Sequence, residues 1–287
     1  MSDSSPRLTE FFSFVNERHR IYLRKAAGEP KPWTDDEILQ NYKFTNVFRE
    51  LDTVTIWIRK NWREPFADHP NLWLAMCIAR LVNWPDSLAE IGFPETWGPR
   101  ETRRAVELLE RRTRNGAKAF TSAYLLQRVR GWETLSQQLF YEVLRGVWQD
   151  RSEVSSFLLS CNSLEKAVGK LSSYYGWGGF LSYEVVCDLY HTRYLCNASD
   201  IFTWGNVGPG ARRGLNRIYG RPFNKYLSKL KLLEEMRGVL RLSKTNLAEH
   251  VPPMDMRDIE QSLCEFDKYE RARLNQGRPR SSYNGRG

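Results

Sequence analysis

The chain has 287 residues, 41% of them apolar, with 43 Lys and Arg against 34 Asp and Glu. That is enough chain and apolar surface for one large or two small packed domains, which excludes disorder for most of its length. The longest apolar run, Leu72 to Ala79, is stopped by Arg80 well short of the ~20 residues of a membrane span, and the start lacks the apolar stretch of a secretory signal. No membrane partner is expected, and a reducing compartment is. Cys77, Cys161, Cys187, Cys196 and Cys264 are then thiols, scattered and without a C-x-x-C pair, so neither a metal nor a cofactor is expected.

In chain order the elements read as helices. Residues 1–10 are expected to be a flexible N-terminus and 11–274 a single helical domain. Trp33 to Ile38 fits a helix start, with Thr34 capping Glu37 and Trp33 packing on Ile38. Phe44, Val47, Phe48, Leu51, Thr55, Ile58 and Trp62 follow a helical period over about five turns, with Asn46, Arg49, Glu50 and Asp52 on the other side. Leu72 to Val82 is apolar all round, as in a central helix, and Trp84-Pro85 ends it. Pro99 opens the next helix and Asn115-Gly116 closes it. Helical patterns cover Thr134–Gln149, Ser163–Ser172, Phe180–Tyr190, Asn224–Leu242 and Met256–Leu274; Ala117 to Leu125 is the best candidate strand. Asn275 to Gly287 reads as a disordered basic tail. With no clear linker, the pattern predicts one all-α unit with room for two lobes meeting near residue 150.

Three groups of residues carry chemistry. Glu184, Asp188 and His191 stand at i, i+4 and i+7, on one face of a helix. Two carboxylates so spaced raise each other's proton affinity, as an acid and a base require; the alternative is an exposed polar face with ordinary salt bridges. Arg18 and His19, with Asn46, Arg49 and Asp52, form a second group: arginine grips phosphate or carboxylate with two hydrogen bonds, and a buried Arg–Asp structural bridge is the competing reading.

The third group is Asn206-Val207-Gly208-Pro209-Gly210-Ala211-Arg212-Arg213-Gly214-Leu215. A Gly-x-Gly turn opening a helix aims backbone amides outward at a helix N-terminus and can hold a phosphate of a nucleic-acid backbone. Arg212 and Arg213 in the first turn oppose the helix dipole unless an anion is near. Between Gly205 and Lys244 ten basic residues face two acidic ones. That charge favours the phosphate reading over a plain Gly-Pro-Gly loop. The turn also resembles the hairpin of helix-hairpin-helix proteins of the DNA glycosylase superfamily.

Read together, Phe14-x-x-Glu17-Arg18-His19-x-Ile21-Tyr22, Pro32-Trp33-Thr34-Asp35-Asp36, Phe44 to Asp52, the Gly-Gly-Phe-x-x-Tyr-Glu-Val-Val-x-Asp-Leu segment, Trp204 to Leu215 and Ser262 to Tyr269 resemble a set of mostly phage-encoded proteins. These are the α-glutamyl/putrescinyl thymine pyrophosphorylases, or amino acid:DNA transferases, together with the helical domain of 5-hydroxymethyluracil DNA kinases. The resemblance implies a divergent DNA-glycosylase-like helical fold acting on double-stranded DNA that carries modified thymine. It implies coupling to a DNA kinase, an amino acid or polyamine as co-substrate, residence in the host cytoplasm and protection of viral DNA from restriction. A kinase phosphorylates 5-hydroxymethyluracil in DNA; a protein of this type replaces the phosphate with an amine. No G-x-x-x-x-G-K-[ST] occurs in the sequence, which favours the transferase over the kinase-fused version.

Such chemistry needs cations for the departing phosphate and a carboxylate for the proton of the attacking ammonium. On that basis Asp188, Glu184 and Arg49 are the expected catalytic residues. Arg18, His19, Asn46 and Asp52 are expected to bind substrate, and Asn206, Gly208, Gly210, Ala211, Arg212 and Arg213 DNA. A catalytically silent DNA-binding partner of a kinase is one alternative. A base-excising glycosylase is another, weakened because Tyr226 to Leu232, where its catalytic Asp belongs, carries no acid.

Overall fold

The structure is a computed structural model in which residues 7–122, 124, 130–277 and 279 are described. Among the described residues the protein is all-helical with no β-strand, the fold class that the sequence pattern gives. In chain order the helices are α1 (Leu8–Ala26), α2 (Glu37–Asn41), α3 (Thr53–Ile58), α4 (Leu72–Val82), α5 (Pro85–Ile91), α6 (Pro99–Arg114), α7 (Leu135–Gln138), α8 (Arg145–Gln149), α9 (Arg151–Ser160), α10 (Leu164–Ser172), α11 (Gly179–Leu189), α12 (Pro209–Ile218), α13 (Lys229–Asn246) and α14 (Met256–Arg273). A 3₁₀ turn spans Arg49–Leu51, and π-helical segments follow α3 (Arg59–Arg63) and join α7 to α8 (Leu139–Leu144). No described helix is long and apolar enough to cross a membrane.

The chain forms two compact units: residues 1–52 with 201–287, and residues 53–200. It leaves the first unit after Asp52 and returns at Ile201, so neither crossing lies near residue 150.

The first unit is built on α1, α12, α13 and α14. α1 begins inside the stretch expected to be flexible, because Leu8 is already buried. Its face of Phe11, Phe12, Phe14 and Val15 meets α14, with Phe11 edge-on to Phe266 at 5.5 Å and Phe14 5.2 Å from Tyr269. The Tyr269 hydroxyl donates to Asp36 (2.6 Å), whose other oxygen accepts the amides of Ile38 and Leu39. Asp36, not Thr34, therefore caps α2; Thr34 Oγ1 accepts the Asp36 amide instead.

The five-turn helix expected over Phe44–Trp62 is broken. In the first unit its residues run extended to the 3₁₀ turn, since side chains take the backbone groups a helix would have used. Glu265 accepts the Thr45 amide (2.9 Å), Asp52 accepts that of Asn46 (2.9 Å), and Arg18 donates to the carbonyls of Phe44 and Thr45.

α12 lies very close against α14. A Cβ at Gly210 would run into the Cys264 side chain, and one at Gly214 into the backbone of Leu263. The two glycines, four apart on one face, let the backbones approach. α13 starts at Lys229, later than its apolar period suggests, because Ser228 is its N-cap and the Ser228 hydroxyl accepts the Lys231 amide. Of the expected tail, Gln276 accepts from Arg217 (2.9 Å); residues 278 and 280–287 lie outside the described ones.

The second unit is centred on α4, every residue of which is buried, with α11 against it. Asn83 closes α4 in the left-handed region (φ 47°) and Pro85 opens α5. α6 ends at Asn115, with Gly116 at φ 71°, as its sequence indicates. α9 is unanticipated, for only Val154 and Leu158 of it are buried, too few for a period. The candidate strand is irregular chain and bends in its described part: Ser87 Oγ donates to the Ala119 carbonyl and the Thr121 amide to that of Val82. Leu125 lies outside the described residues.

Candidate functional site

In the second unit, α11 places Glu184 and Asp188 on its buried side, 2% and 1% exposed, so the reading as an exposed polar face is excluded. Asp188 accepts Arg80 Nε and Nη2 on its two oxygens, each at 2.6 Å, and Arg63 Nη1 stands 3.7 Å away. Arg80 also donates to Asn83 Oδ1 (3.2 Å) and Thr55 Oγ1 (3.1 Å). Burial works against charge on Arg80, but Asp188 above all, with Tyr124 and Glu184, more than offsets it and raises its pKa. Glu184 accepts from the Tyr124 hydroxyl at 2.9 Å. His191 falls past the end of α11, in an exposed turn, and does not continue the row. Glu184 and Asp188 are thus neighbours, with Asp188 gripped by a buried fork of donors.

In the first unit the second expected group does come together. Arg18 Nη2 reaches Asn46 Oδ1 at 3.5 Å, Asn46 Nδ2 donates to the Leu51 carbonyl, and Arg49 Nη1 donates to Asp52 Oδ2 at 3.0 Å. Arg18 is buried, whereas the Arg49 and Asp52 side chains keep 18% and 15% of their surface in solvent. His19 is 3% exposed, edge-on to Phe48 at 5.2 Å. Burial first, then His250 and Arg18, lowers its pKa, so the ring is neutral at pH 7.

The Gly turn opens α12 with Gly208 as N-cap, but residues 190–208 before it are turns and irregular chain, with no helix to form the first arm of a hairpin. Gly210 and Ala211 are buried, and Gly210 serves the contact with α14; Asn206 is half-buried. The basic stretch is divided. Arg213 and Arg217 donate to Asp267, at 2.7 and 2.8 Å; Arg221 pairs with Glu235 through two bonds of 2.7 Å; Lys231 meets Glu234; Arg237 donates to the Thr203 carbonyl. The side chains of Arg212, Lys225, Lys229, Arg241 and Lys244 have no polar partner among the described residues.

Sequence reasoning passed over the connection between α12 and α13. Phe223 and Tyr226 are 46% and 75% exposed there, on either side of Lys225, and Lys229 and the 81% exposed Leu230 follow at the start of α13. The segment is held in shape from beneath: the fully buried Asn216 donates through Nδ2 to the carbonyls of Phe223 (3.1 Å) and Lys225 (2.8 Å). The available signal was aromatics alternating with lysines and no acid. Large exposed apolar side chains among cations, on a pinned loop, suit a partner that is both flat and anionic.

Among the described residues, no cluster of His, Cys, Asp or Glu is placed to hold a metal ion. A family model described as the helical domain of 5-hmdU DNA kinase matches residues 5–278. The 5-hmdU DNA kinase of Bacillus phage SP10 is 28% identical over 283 residues, covering 90% of this chain. The chain spans 44% of that relative's length. No solved structure matches. A family match over nearly the whole chain, on an all-helical protein, makes this chain a member of the family of 5-hmdU DNA kinase helical domains.

Proposed function

We propose that the protein acts in thymine hypermodification, as a transferase that exchanges the phosphate on phosphorylated 5-hydroxymethyluracil in double-stranded DNA for an amine. Both units work as one domain in this reading. The family match supports action on 5-hmdU in DNA, the motif resemblance to amino acid:DNA transferases suggests the exchange, and one observation supports DNA as the partner: the pinned, exposed connection carrying Phe223, Lys225 and Tyr226, followed by Lys229 and Leu230 at the start of α13. Stacking side chains among cations hold nucleic acid without reading its sequence.

In the reaction a C–N bond forms at the exocyclic CH₂ as the C–O bond to phosphate breaks. The phosphate leaves with the bonding electrons, and a carboxylate takes the ammonium proton. Arg49 and Asp52, paired and partly open to solvent, suit the amine substrate, Arg49 for an amino-acid carboxylate and Asp52 for the ammonium proton. Arg18, His19 and Asn46 position that pair through the 44–52 backbone. Glu184 and Asp188, engaged by Tyr124 and Arg80 inside the second unit, then serve its structure.

Incubation of the protein with duplex DNA containing the phosphorylated base and glycine, serine or putrescine, followed by mass spectrometry of the nucleosides, tests this. A new nucleoside in which the amine replaces phosphate is the expected result, lost in Asp52→Asn. The match of this chain to part of a longer kinase favours one other reading, a silent DNA-binding partner of a kinase. No transfer with any amine, but faster phosphorylation of the DNA by such a kinase, would establish that reading instead.

A further inference from the structure

The second unit contains a cleft of about 620 Å³ that neither the sequence motifs nor the proposed chemistry uses. Trp97, Trp132 and Trp148 line it, with Arg103, Arg145 and Arg151, and no carboxylate does. The walls are fixed by local contacts. Trp132 Nε1 donates to Glu142 Oε2 (2.7 Å) and its ring lies 6.2 Å from that of Tyr141. Arg151 lies over the Trp148 ring at 4.9 Å. Trp97 stands 6.2 Å from Phe140, whose backbone belongs to the π-helical Leu139–Leu144; such segments re-aim side chains and recur at functional sites.

Indole faces bind flat rings, and guanidinium groups bind phosphate through paired donors and stack on aromatic systems. Arg103 and Arg145 have no hydrogen bond or ion pair among the described residues, so both are available to a ligand. The N-terminus of α6 also borders the cleft at Gly98 and Pro99, but Glu101 folds back beside Gly98, and the arginines supply the positive charge. The volume is that of a small-ligand site.

We propose that this cleft binds an aromatic ring carrying a phosphate: the ring between the tryptophans, the phosphate against Arg103 and Arg145. On the reading under Proposed function, on which this identification of the ligand rests, the ring is the phosphorylated base turned out of the duplex, at a cost of a few kcal/mol in unstacking. A free pyrimidine nucleotide offers the same chemistry, and the test separates the two.

Calorimetric titration of the intact protein uses four probes: the free nucleoside of phosphorylated 5-hydroxymethyluracil, its unphosphorylated form, inorganic phosphate, and a duplex containing one phosphorylated base beside its unmodified counterpart. The phosphorylated nucleoside is expected to bind at least tenfold more tightly than either fragment. The modified duplex is expected to bind more tightly than the unmodified one. Arg103→Ala with Arg145→Ala should weaken both preferred ligands by tenfold or more, and Trp148→Leu should weaken both as well. The arginines are exposed and unpaired, so this double variant keeps its fold, which circular dichroism verifies. Unchanged binding in the folded double variant overturns the proposal, as does a wild-type protein that binds none of the phosphorylated probes. Should those variants transfer amine normally, the cleft assignment falls while the transferase reading stands. Loss of nucleotide binding in them, in a wild-type protein that transfers no amine, upholds the cleft and sinks the transferase reading. Binding of the free nucleotide without preference for the modified duplex upholds the ring-and-phosphate site and assigns it to the free nucleotide.

Discussion

Each unit buries one aspartate among arginines, and the two arrangements do different work. In the second unit Asp188 meets Arg80 and Arg63, both nearly without solvent, and the pair is closed off by Asn83 and Thr55. In the first, Asp267 is fully buried but receives Arg213, Arg217 and Arg271, of which Arg213 and Arg271 keep 29% and 35% of their side chains in solvent. A closed pair is an internal strut. An open one holds cations at the surface. Counting basic residues along a sequence cannot tell these uses apart.

The largest effect expected from breaking this contrast is on stability. Asp188→Asn leaves Arg80 charged in a dry interior and should remove about 3–5 kcal/mol. Asp267→Asn, whose partners can turn to water except for Arg217, should remove about 1.5–3 kcal/mol. Urea unfolding of both variants measures the difference, and equal losses would abolish the distinction between strut and anchor.

The close contact of α12 with α14 comes next. Gly214→Ala places a methyl against the backbone of Leu263 and should cost at least about 1–3 kcal/mol, as overpacking does. In Gly208→Ala the new methyl meets nothing nearer than Glu260 Oε1 at 3.5 Å, so the change should stay within about 0.5 kcal/mol. Melting of the two variants checks the assignment of Gly214 to packing.

A third change leaves stability alone. Phe223→Ala with Tyr226→Ala removes two exposed rings and should weaken binding by about 5-fold to 100-fold for each unpaired base that stacks on them, whatever the DNA sequence. Fluorescence anisotropy with two unrelated duplexes, each carrying a short unpaired stretch, reads this. A loss confined to one of them would mean base-specific contacts.

The smallest effect is a pH dependence. Since the folded state holds His19 below the ordinary imidazole pKa of about 6.5, unfolding takes up a proton as the pH falls through that value. Stability should therefore be full at pH 7 to 8 and decline as the pH falls through about 6.5 toward the folded-state value, with the decline reduced in His19→Phe. Denaturation midpoints at several pH values measure it.

Much of the fold was legible. The all-round apolar α4, Pro99 and Asn115 bounding α6, and the face of α14 all announce themselves by period and punctuation. The 44–52 segment did not, because its apolar spacing is helical while its backbone partners, Glu265 and Arg18, come from distant positions in sequence. For the candidate site, Arg18, Arg49, Asn46 and Asp52 were legible as a group. The burial of Asp188 was not, since i, i+4 spacing fixes which residues share a face and not whether that face meets water. Phe223 and Tyr226 went unread because exposed aromatics look like core until the connection they occupy is known to be a loop.

The π-helical Leu139–Leu144 has one more consequence, for how this chain can tolerate deletions. Its wider turn absorbs an additional residue, so removing one amino acid there would shorten the helix to regular pitch without breaking it. Because the wide turn takes up that residue locally, Trp148 and Arg151 beyond it would keep their facing, while Phe140 and Tyr141 within it would be re-aimed. A deletion harmless to helix content would rebuild one wall of the cleft. Lineages of this domain that lack one residue at this point should also have changed their tryptophans.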